Sequence, residues 1–133
     1  MYLSKNVFNI VAISMVSALC CNDAVADEVG PRQQTSDVHG DASWYGAAYR
    51  GRRTASGERF DPRDFTAAHP SLPFGTLIEV SWPGHDRRVV VRVNDRGPRG
   101  GRLLDLSEAA ARRLGMVGEG TVAVSLRVIG RTD

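Results

Sequence analysis

The stretch TLIEVSWPGHDRRVVVRVND, residues 76–95, decides the fold class because it contains two strand patterns separated by a turn. In each half every second residue is apolar, which is the period of a strand with one buried face. The residues predicted to face the core are Ile78, Val80, Trp82, Val89, Val91 and Val93. The intervening PGHD has the composition of a turn, so the segment predicts an antiparallel hairpin.

Three other segments carry strand patterns. ASWYG, residues 42–46, is a short aromatic strand closed by Gly46, and RLLDL, residues 102–106, includes a short buried strand. GTVAVSLRVIG, residues 120–130, has the clearest alternation, and we expect it to line the core and end the domain. The residues predicted to face inward there are Val122, Val124, Leu126 and Val128.

One helix interrupts the strands. Ser107 is a good N-cap, EAAARRL at residues 108–114 is rich in strong helix formers, and Gly115 is placed to end the helix. Several short strands with a single small helix favour a closed barrel over a sandwich. The sequence therefore predicts a mainly β protein, a closed barrel of about six strands with one short helix.

A long polar segment precedes the hairpin. TASGERFDPRDFTAAH, residues 54–69, has neither a helical nor a strand period and is predicted to be a loop between the first strand and the strand at residue 76. Loops of this length are uncommon in compact domains unless they are functional or disordered. Four apolar residues in this loop and in the PSLPFG that follows it are expected to pin it to the barrel, namely Phe60, Phe65, Leu72 and Phe74.

Residues 1–26 have the pattern of a secretory signal peptide. Lys5 supplies a positive charge, residues 7–21 form an apolar run, and AVA at residues 24–26 is a suitable cleavage site. Because the apolar run is short for a bilayer span, we expect export to the periplasm with no transmembrane segment in the mature chain. Residues 27–40 are predicted to be a flexible linker, and residues 41–130 the barrel domain.

An alternative is that Cys20 or Cys21 is lipid-modified and anchors the protein to the envelope. A lipoprotein signal usually has a small residue directly before the cysteine, whereas Leu19 and Cys20 stand there, which favours soluble export. Both cysteines lie in the predicted leader, so no disulfide is expected in the mature domain.

Charge and histidine spacing exclude several classes of function. The net charge of +2 is too small for a nucleic-acid surface, and export also argues against such a partner. After Lys5 every basic residue other than histidine is arginine, which suits an acidic polymer, although a simple solvated surface would look the same. His39, His69 and His85 form no short-spaced metal cluster, so we expect no metal and no cofactor.

Six motifs occur together in this chain: ASWYG, GRRTASGERFD, TAAHPSLPFGT, VVVRVNDRGP, RLLDLSEAAARRLG and GTVAVSLRVIG. In this order they resemble the rare lipoprotein A (RlpA) family of bacterial envelope proteins, over residues 42–129. The resemblance implies a double-psi β-barrel, related to barwin and the expansins. It also implies a lytic transglycosylase whose partners are peptidoglycan glycan strands, with a preference for strands stripped of stem peptides.

Asp105 is the candidate catalytic acid. Glycosidic cleavage needs a proton on the leaving oxygen, and a carboxyl supplies it near neutral pH when an apolar environment favours its protonated form. Asp105 lies between Leu104 and Leu106 and matches the acid of related barrel enzymes. The sequence pattern alone favours a structural role, in which Asp105 supports the N-terminus of the following helix through its dipole, and the resemblance reverses that order.

Glu58 and His69 match functional positions of the family, and the resemblance makes them the other catalytic candidates. They could orient the attacking hydroxyl or influence the charge on Asp105. The structural alternative is that Glu58 pairs with an arginine and that His69 hydrogen-bonds to the backbone to hold the loop.

Substrate binding is assigned to the rim of the barrel. The candidates are Thr54, Tyr45, Asn94, Asp95 and Arg96. Tyr45 offers a flat aromatic face for a sugar ring, and the last three lie at a strand end. Asp95 and Arg96 could instead pair with each other.

Two classes of function follow. The first is an exported lytic transglycosylase that leaves 1,6-anhydro ends. The alternative is a non-catalytic, expansin-like module that binds glycan or loosens the wall with the same groove.

Overall fold

Six strands and one helix form the part of the chain that the computed structural model describes, residues 36–132. The predicted signal peptide, both cysteines and most of the predicted linker lie outside this range. The strands are β1 (Val38–Tyr45), β2 (Thr66–Ala68), β3 (Thr76–Trp82), β4 (Arg87–Asp95), β5 (Leu104–Ser107) and β6 (Val122–Arg131). The helix is α1 (Glu108–Leu114), and a 3-10 turn occupies Ala47–Tyr49.

The strands close into a barrel in the order β1-β5-β2-β4-β3-β6, with β6 paired back to β1. The β1–β5 and β2–β4 pairs are parallel, and the others are antiparallel. The short strand β2 lies between β4 and β5, so that Ala68 pairs with Asp95 on one side and Asp105 on the other. Ser43 of β1 pairs with Asp105 from the far side. This topology gathers side chains that are distant in sequence at one place on the barrel.

The barrel interior is filled by the alternate residues of the strands. Leu104 and Leu106 of β5 and Leu114 of α1 are completely buried, and each contributes roughly 1.5–3 kcal/mol by burial. The inward faces predicted for β3, β4 and β6 are confirmed for all but two residues: Trp82 is only partly buried, and Val128 is 39% exposed. The strand β6 continues beyond Leu126, where its pairing with β1 ends. Its last residues therefore pair with β3 alone and have no second strand beside them to bury their side chains.

The helix begins and ends as predicted. The hydroxyl of Ser107 accepts a hydrogen bond from the backbone N–H of Ala110, and Gly115 adopts the left-handed φ of 77° that ends the helix.

Two boundaries differ from the sequence prediction. The strand β1 begins at Val38 and pairs with β6, so residues 38–40 of the predicted linker belong to the barrel. The segment predicted to be a loop contains β2, whose three residues are too few to show a period. No helix within residues 36–132 has the length and apolar composition needed to span a bilayer.

Candidate functional site

Two pockets adjoin at Asp105. The larger, of about 460 Å³, lies between Pro70 on one side and the loop that joins β4 to β5 on the other. The smaller, of about 190 Å³, is lined by Tyr45, Tyr49 and Ala68 together with Asp95. Arg96 and Asp105 line both pockets, and we refer to the two pockets together as the cleft.

Asp105 reaches the cleft because strand residues alternate. Its neighbours Leu104 and Leu106 point into the core, and the Asp105 side chain points away from it with 19% of its surface exposed. The hydroxyl of Ser43 donates a hydrogen bond to Oδ1, and Arg102 donates to the same oxygen from Nε at 3.3 Å and Nη2 at 3.2 Å. The apolar environment predicted from the flanking leucines is therefore wrong, since the carboxyl meets a hydroxyl and a guanidinium.

Tyr45 lines the smaller pocket of the cleft. Its ring packs against Phe60, with centroids 4.6 Å apart, and against Tyr49 at 5.7 Å, so the flat face predicted for sugar stacking is largely occupied. Burial, and then the negative charges of Asp95 and Asp105, raise the pKa of this hydroxyl. The hydroxyl is buried without a hydrogen-bond partner in residues 36–132.

Asp95 and Arg96 lie in the cleft, as predicted. Asp95 Oδ1 accepts hydrogen bonds from the backbone N–H of Ala55 at 2.9 Å and of Arg96 at 2.8 Å. The Arg96 guanidinium lies 4.0 Å from the centre of the Phe74 ring and donates to the carbonyl of Leu72 at 2.8 Å. The two side chains are therefore held apart by separate partners rather than paired with each other.

His69 holds the turn that forms one wall. Its Nδ1 accepts hydrogen bonds from the backbone N–H of Ser71 at 3.1 Å and of Leu72 at 3.0 Å. Burial and the nearby positive charge of Arg96 lower its pKa, which favours the neutral ring with the proton on Nε2. His69 does not line either pocket of the cleft, although its neighbour Pro70 does.

Glu58 is bound to β4. Its carboxylate receives two hydrogen bonds from Arg92, at 3.0 and 2.9 Å, and one from Asn94 Nδ2 at 2.6 Å. The Arg92 hydrogen bonds, assisted by Asn94, lower the pKa of Glu58 despite partial burial. Glu58 does not line the cleft. It fixes the loop of residues 54–58 to the strand that carries Asp95.

Thr54 and Asn94 do not reach the rim, contrary to the sequence prediction. Thr54 is 7% exposed, and its hydroxyl donates to the carbonyl of Glu58. Asn94 is 1% exposed and donates to the Glu58 carboxylate. The polar groups of both residues hold the loop of residues 54–58 in place. The sequence alone does not distinguish polar residues with this structural role from residues that bind a ligand.

Three polar residues that line the cleft were not predicted, namely Tyr49, Arg99 and Arg102, and neither was Ser43, which binds Asp105. Ser43 meets Asp105 through the parallel β1–β5 pairing, which leaves no local signal in the sequence. Arg102 stands three residues before Asp105, and that spacing was the one available indication of an ion pair.

The role of Glu58 can be tested by stability. We expect Glu58→Ala to lower the free energy of unfolding by about 1–2 kcal/mol, because it removes three hydrogen bonds to a half-exposed carboxylate. The folded-state pKa of Glu58 is below its unfolded value, so this stabilisation is present above the ordinary glutamate pKa and is lost as the pH falls through the lower folded-state value. Urea unfolding of the wild-type and Glu58→Ala proteins from pH 7 down to pH 3 measures both the loss of stability and its dependence on pH.

The matched control is Glu119→Ala, which removes an exposed carboxylate from the loop before β6. We expect no change larger than about 0.5 kcal/mol for this variant. Equal stabilities of the Glu58 and Glu119 variants at pH 7 would contradict the structural role of Glu58.

Comparison with known proteins gives three kinds of likeness. The model of the lytic transglycolase family matches residues 37–126. The chain is 55% identical over 95 residues to a probable endolytic peptidoglycan transglycosylase RlpA of Nostoc, covering 69% of this chain and 26% of that protein. It is 45% identical over 102 residues to the endolytic peptidoglycan transglycosylase RlpA of Neisseria meningitidis serogroup A, covering 74% and 43%.

Among solved structures, the chain resembles the expansin of Clavibacter michiganensis, with a TM-score of 0.58 and 25% identity over 74% of this chain and 52% of the expansin. This likeness and the closed six-stranded topology confirm the predicted double-psi β-barrel. The chain spans less than half the length of the two RlpA relatives.

Proposed function

Because this chain belongs to the lytic transglycolase family, we propose that it is an exported lytic transglycosylase acting on peptidoglycan glycan strands. The observation that supports this most is the position of Asp105, a half-buried carboxyl at the meeting point of two pockets on a barrel of the family's fold. The names of the relatives place their activity on peptidoglycan. We further propose a preference for strands poor in stem peptides.

Asp105 serves first as acid and then as base. Its proton passes to the glycosidic oxygen that leaves with N-acetylglucosamine, while the bond from that oxygen to C1 of N-acetylmuramic acid breaks. The C6 hydroxyl of the same muramic acid then bonds to C1 and gives its proton back to Asp105. The product is a 1,6-anhydro ring, and no water is consumed.

Residues in and beside the cleft assist this reaction. Ser43 holds the carboxyl of Asp105 in position, and Tyr45 shapes the smaller pocket that receives the sugar. Glu58 and His69 act from outside the cleft as positioning residues. The hydrogen bonds of His69 fix the turn that carries Pro70, and those of Glu58 fix the loop whose Ala55 N–H binds Asp95.

Arg102 must leave Asp105 before the acid can act. In the resting ion pair Arg102 donates to both carboxylate oxygens of Asp105, whereas proton donation requires one of them to face the glycosidic oxygen. The Arg102 side chain is 40% exposed, so it can move into the larger pocket without breaking the core.

For the location of the protein, we propose export to the periplasm with residues 1–26 removed. The mass of the mature N-terminus tests this, since removal at Ala26 leaves Asp27 first. A lipid-modified Cys20 or Cys21 would instead show an acylated mass and would mean an envelope anchor.

Product analysis tests the activity. We expect the purified protein, incubated with peptide-free glycan strands, to produce shorter strands with 1,6-anhydromuramic ends detectable by mass spectrometry. An expansin-like module would bind the same strands in a pull-down without producing new ends, and that result would replace the proposed activity with the alternative.

A further inference from the structure

The larger pocket of the cleft has an excess of positive charge. The guanidinium groups of Arg96, Arg99 and Arg102 line it, and Asp105 is the carboxylate among its lining residues. A neutral sugar does not require this arrangement, whereas guanidinium groups bind carboxylates through paired hydrogen bonds. The pocket is therefore suited to a ligand that carries its own negative charge.

The three arginines differ in what they already bind. Arg96 is committed to backbone carbonyls and to the face of Phe74. Arg102 is paired with Asp105 but remains 40% exposed. Arg99 is exposed and forms no ion pair with a carboxylate of residues 36–132. Arg99 and Arg102 are thus the two groups that a ligand can engage.

The loop between β4 and β5 carries Arg99 on its exposed side. Gly97, Gly100 and Gly101 adopt φ values of 113°, 85° and 88°, which other residues rarely adopt. The loop leaves β4 beside Asp95 and returns to β5 just before Asp105, so Arg99 stands over the pocket between the two ends.

We propose that Arg99 and Arg102 bind a carboxylate of the substrate beside the bond that is cut, an inference that rests on the proposed transglycosylase activity. In peptidoglycan the nearest carboxylate to that bond is the lactyl group on C3 of the same muramic acid. In a strand without stem peptides this carboxylate is free, and in a peptide-bearing strand it is an uncharged amide. Arg99 and Arg102 therefore determine the preference for peptide-free strands.

Binding of the substrate carboxylate to Arg102 also explains how Asp105 is released from its ion pair. When the substrate carboxylate binds Arg102, the guanidinium leaves Asp105, and the carboxyl of Asp105 is free to face the glycosidic oxygen. A strand with an amidated lactyl group leaves Arg102 on Asp105.

The test compares three substrates: peptide-free strands, the same strands with the lactyl carboxylates capped as methylamides, and peptide-bearing strands. The capped strands remove the charge and add only a methyl group, and the peptide-bearing strands offer carboxylates only at a greater distance. We expect the purified protein to cleave the free strands at least about tenfold faster than either of the others.

Arg99→Gln is expected to slow cleavage of the free strands about tenfold and to leave the capped strands almost unchanged. The matched control is Arg131→Gln, which removes an exposed arginine at the end of β6, outside the cleft, and is expected to change neither rate. An unchanged ratio of free to capped rates in Arg99→Gln would overturn the inference while the proposed activity stands. Faster cleavage of peptide-bearing than of capped strands would assign the site to a stem-peptide carboxylate and overturn the lactyl assignment.

Binding keeps the inference testable if no strand is cleaved. In that case the proposed activity fails, and calorimetric titration with free and capped strands decides the carboxylate site by itself. Tighter binding of the free strands that is lost in Arg99→Gln supports the site, and equal affinities overturn it.

Discussion

Replacing Asp105 with Asn is expected to reduce strand cleavage by about a thousandfold, within the range for loss of a general acid and base. Asn keeps an oxygen that accepts the Ser43 hydroxyl, and its size is nearly that of Asp, so the barrel should fold as before. Initial rates of anhydro-end formation and thermal unfolding of the two proteins measure the two effects separately.

The control for this variant is Asp86→Asn. Asp86 is exposed in the turn between β3 and β4 and has a φ of 49°, which Asn also tolerates. We expect full activity from this protein. If Asp105→Asn retained more than about a tenth of the wild-type rate, Asp105 would not be the group that transfers the proton.

The second large effect is expected at His69. His69→Ala removes the acceptor of two backbone hydrogen bonds and so loosens the turn that carries Pro70 and the carbonyls that bind Arg96. We expect the rate to fall about 10- to 100-fold, since small displacements of a site wall have effects of this size. Stability should fall by about 1–2 kcal/mol.

His69→Asn separates positioning from direct catalysis. The Oδ1 of Asn can occupy the place of Nδ1 and accept the same two N–H groups, so we expect it to recover most of the stability and most of the rate. Recovery of stability without recovery of rate would show that the imidazole contacts the substrate, which would contradict a positioning role.

The pH dependence follows from the same contacts. The folded-state pKa of His69 is below its unfolded value, so its contribution to stability is present above the ordinary histidine pKa and is lost as the pH falls through the lower folded-state value. Protonated Nδ1 cannot accept the two N–H groups. Protonation of His69 is therefore expected to contribute to the loss of activity at low pH. This contribution should be absent in His69→Asn.

The strands of the barrel were predictable because their side chains alternate. The bounds predicted for β3, β4 and α1 agree with the structure, since each combines a clear period with turn or cap residues at its ends. The strand β2 was not predicted because three residues are too few to show a period. It is the strand that places Asp95 and Asp105 on either side of Ala68, so the missed element was the one that assembles the site.

The candidate site was predictable in part. The motif resemblance indicated Asp105, and the structure places it in the cleft with Tyr45, Asp95 and Arg96. The environment of Asp105 was mispredicted because neighbours in a strand face the opposite side. The contacts with Ser43 and the hydrogen bonds of Glu58 join segments 34 or more residues apart, so no local pattern reports them.

Cleavage in water enriched in ¹⁸O tests most directly whether Asp105 acts with the substrate's own hydroxyl. Mass spectrometry of the new muramic ends is expected to show 1,6-anhydro ends that are lighter than reducing ends by one water and contain no ¹⁸O, and the Asp105→Asn protein should form none. Reducing ends that carry ¹⁸O would contradict this account. They would mean that water attacks, with Asp95 available in the same cleft as the second carboxylate of an ordinary hydrolase.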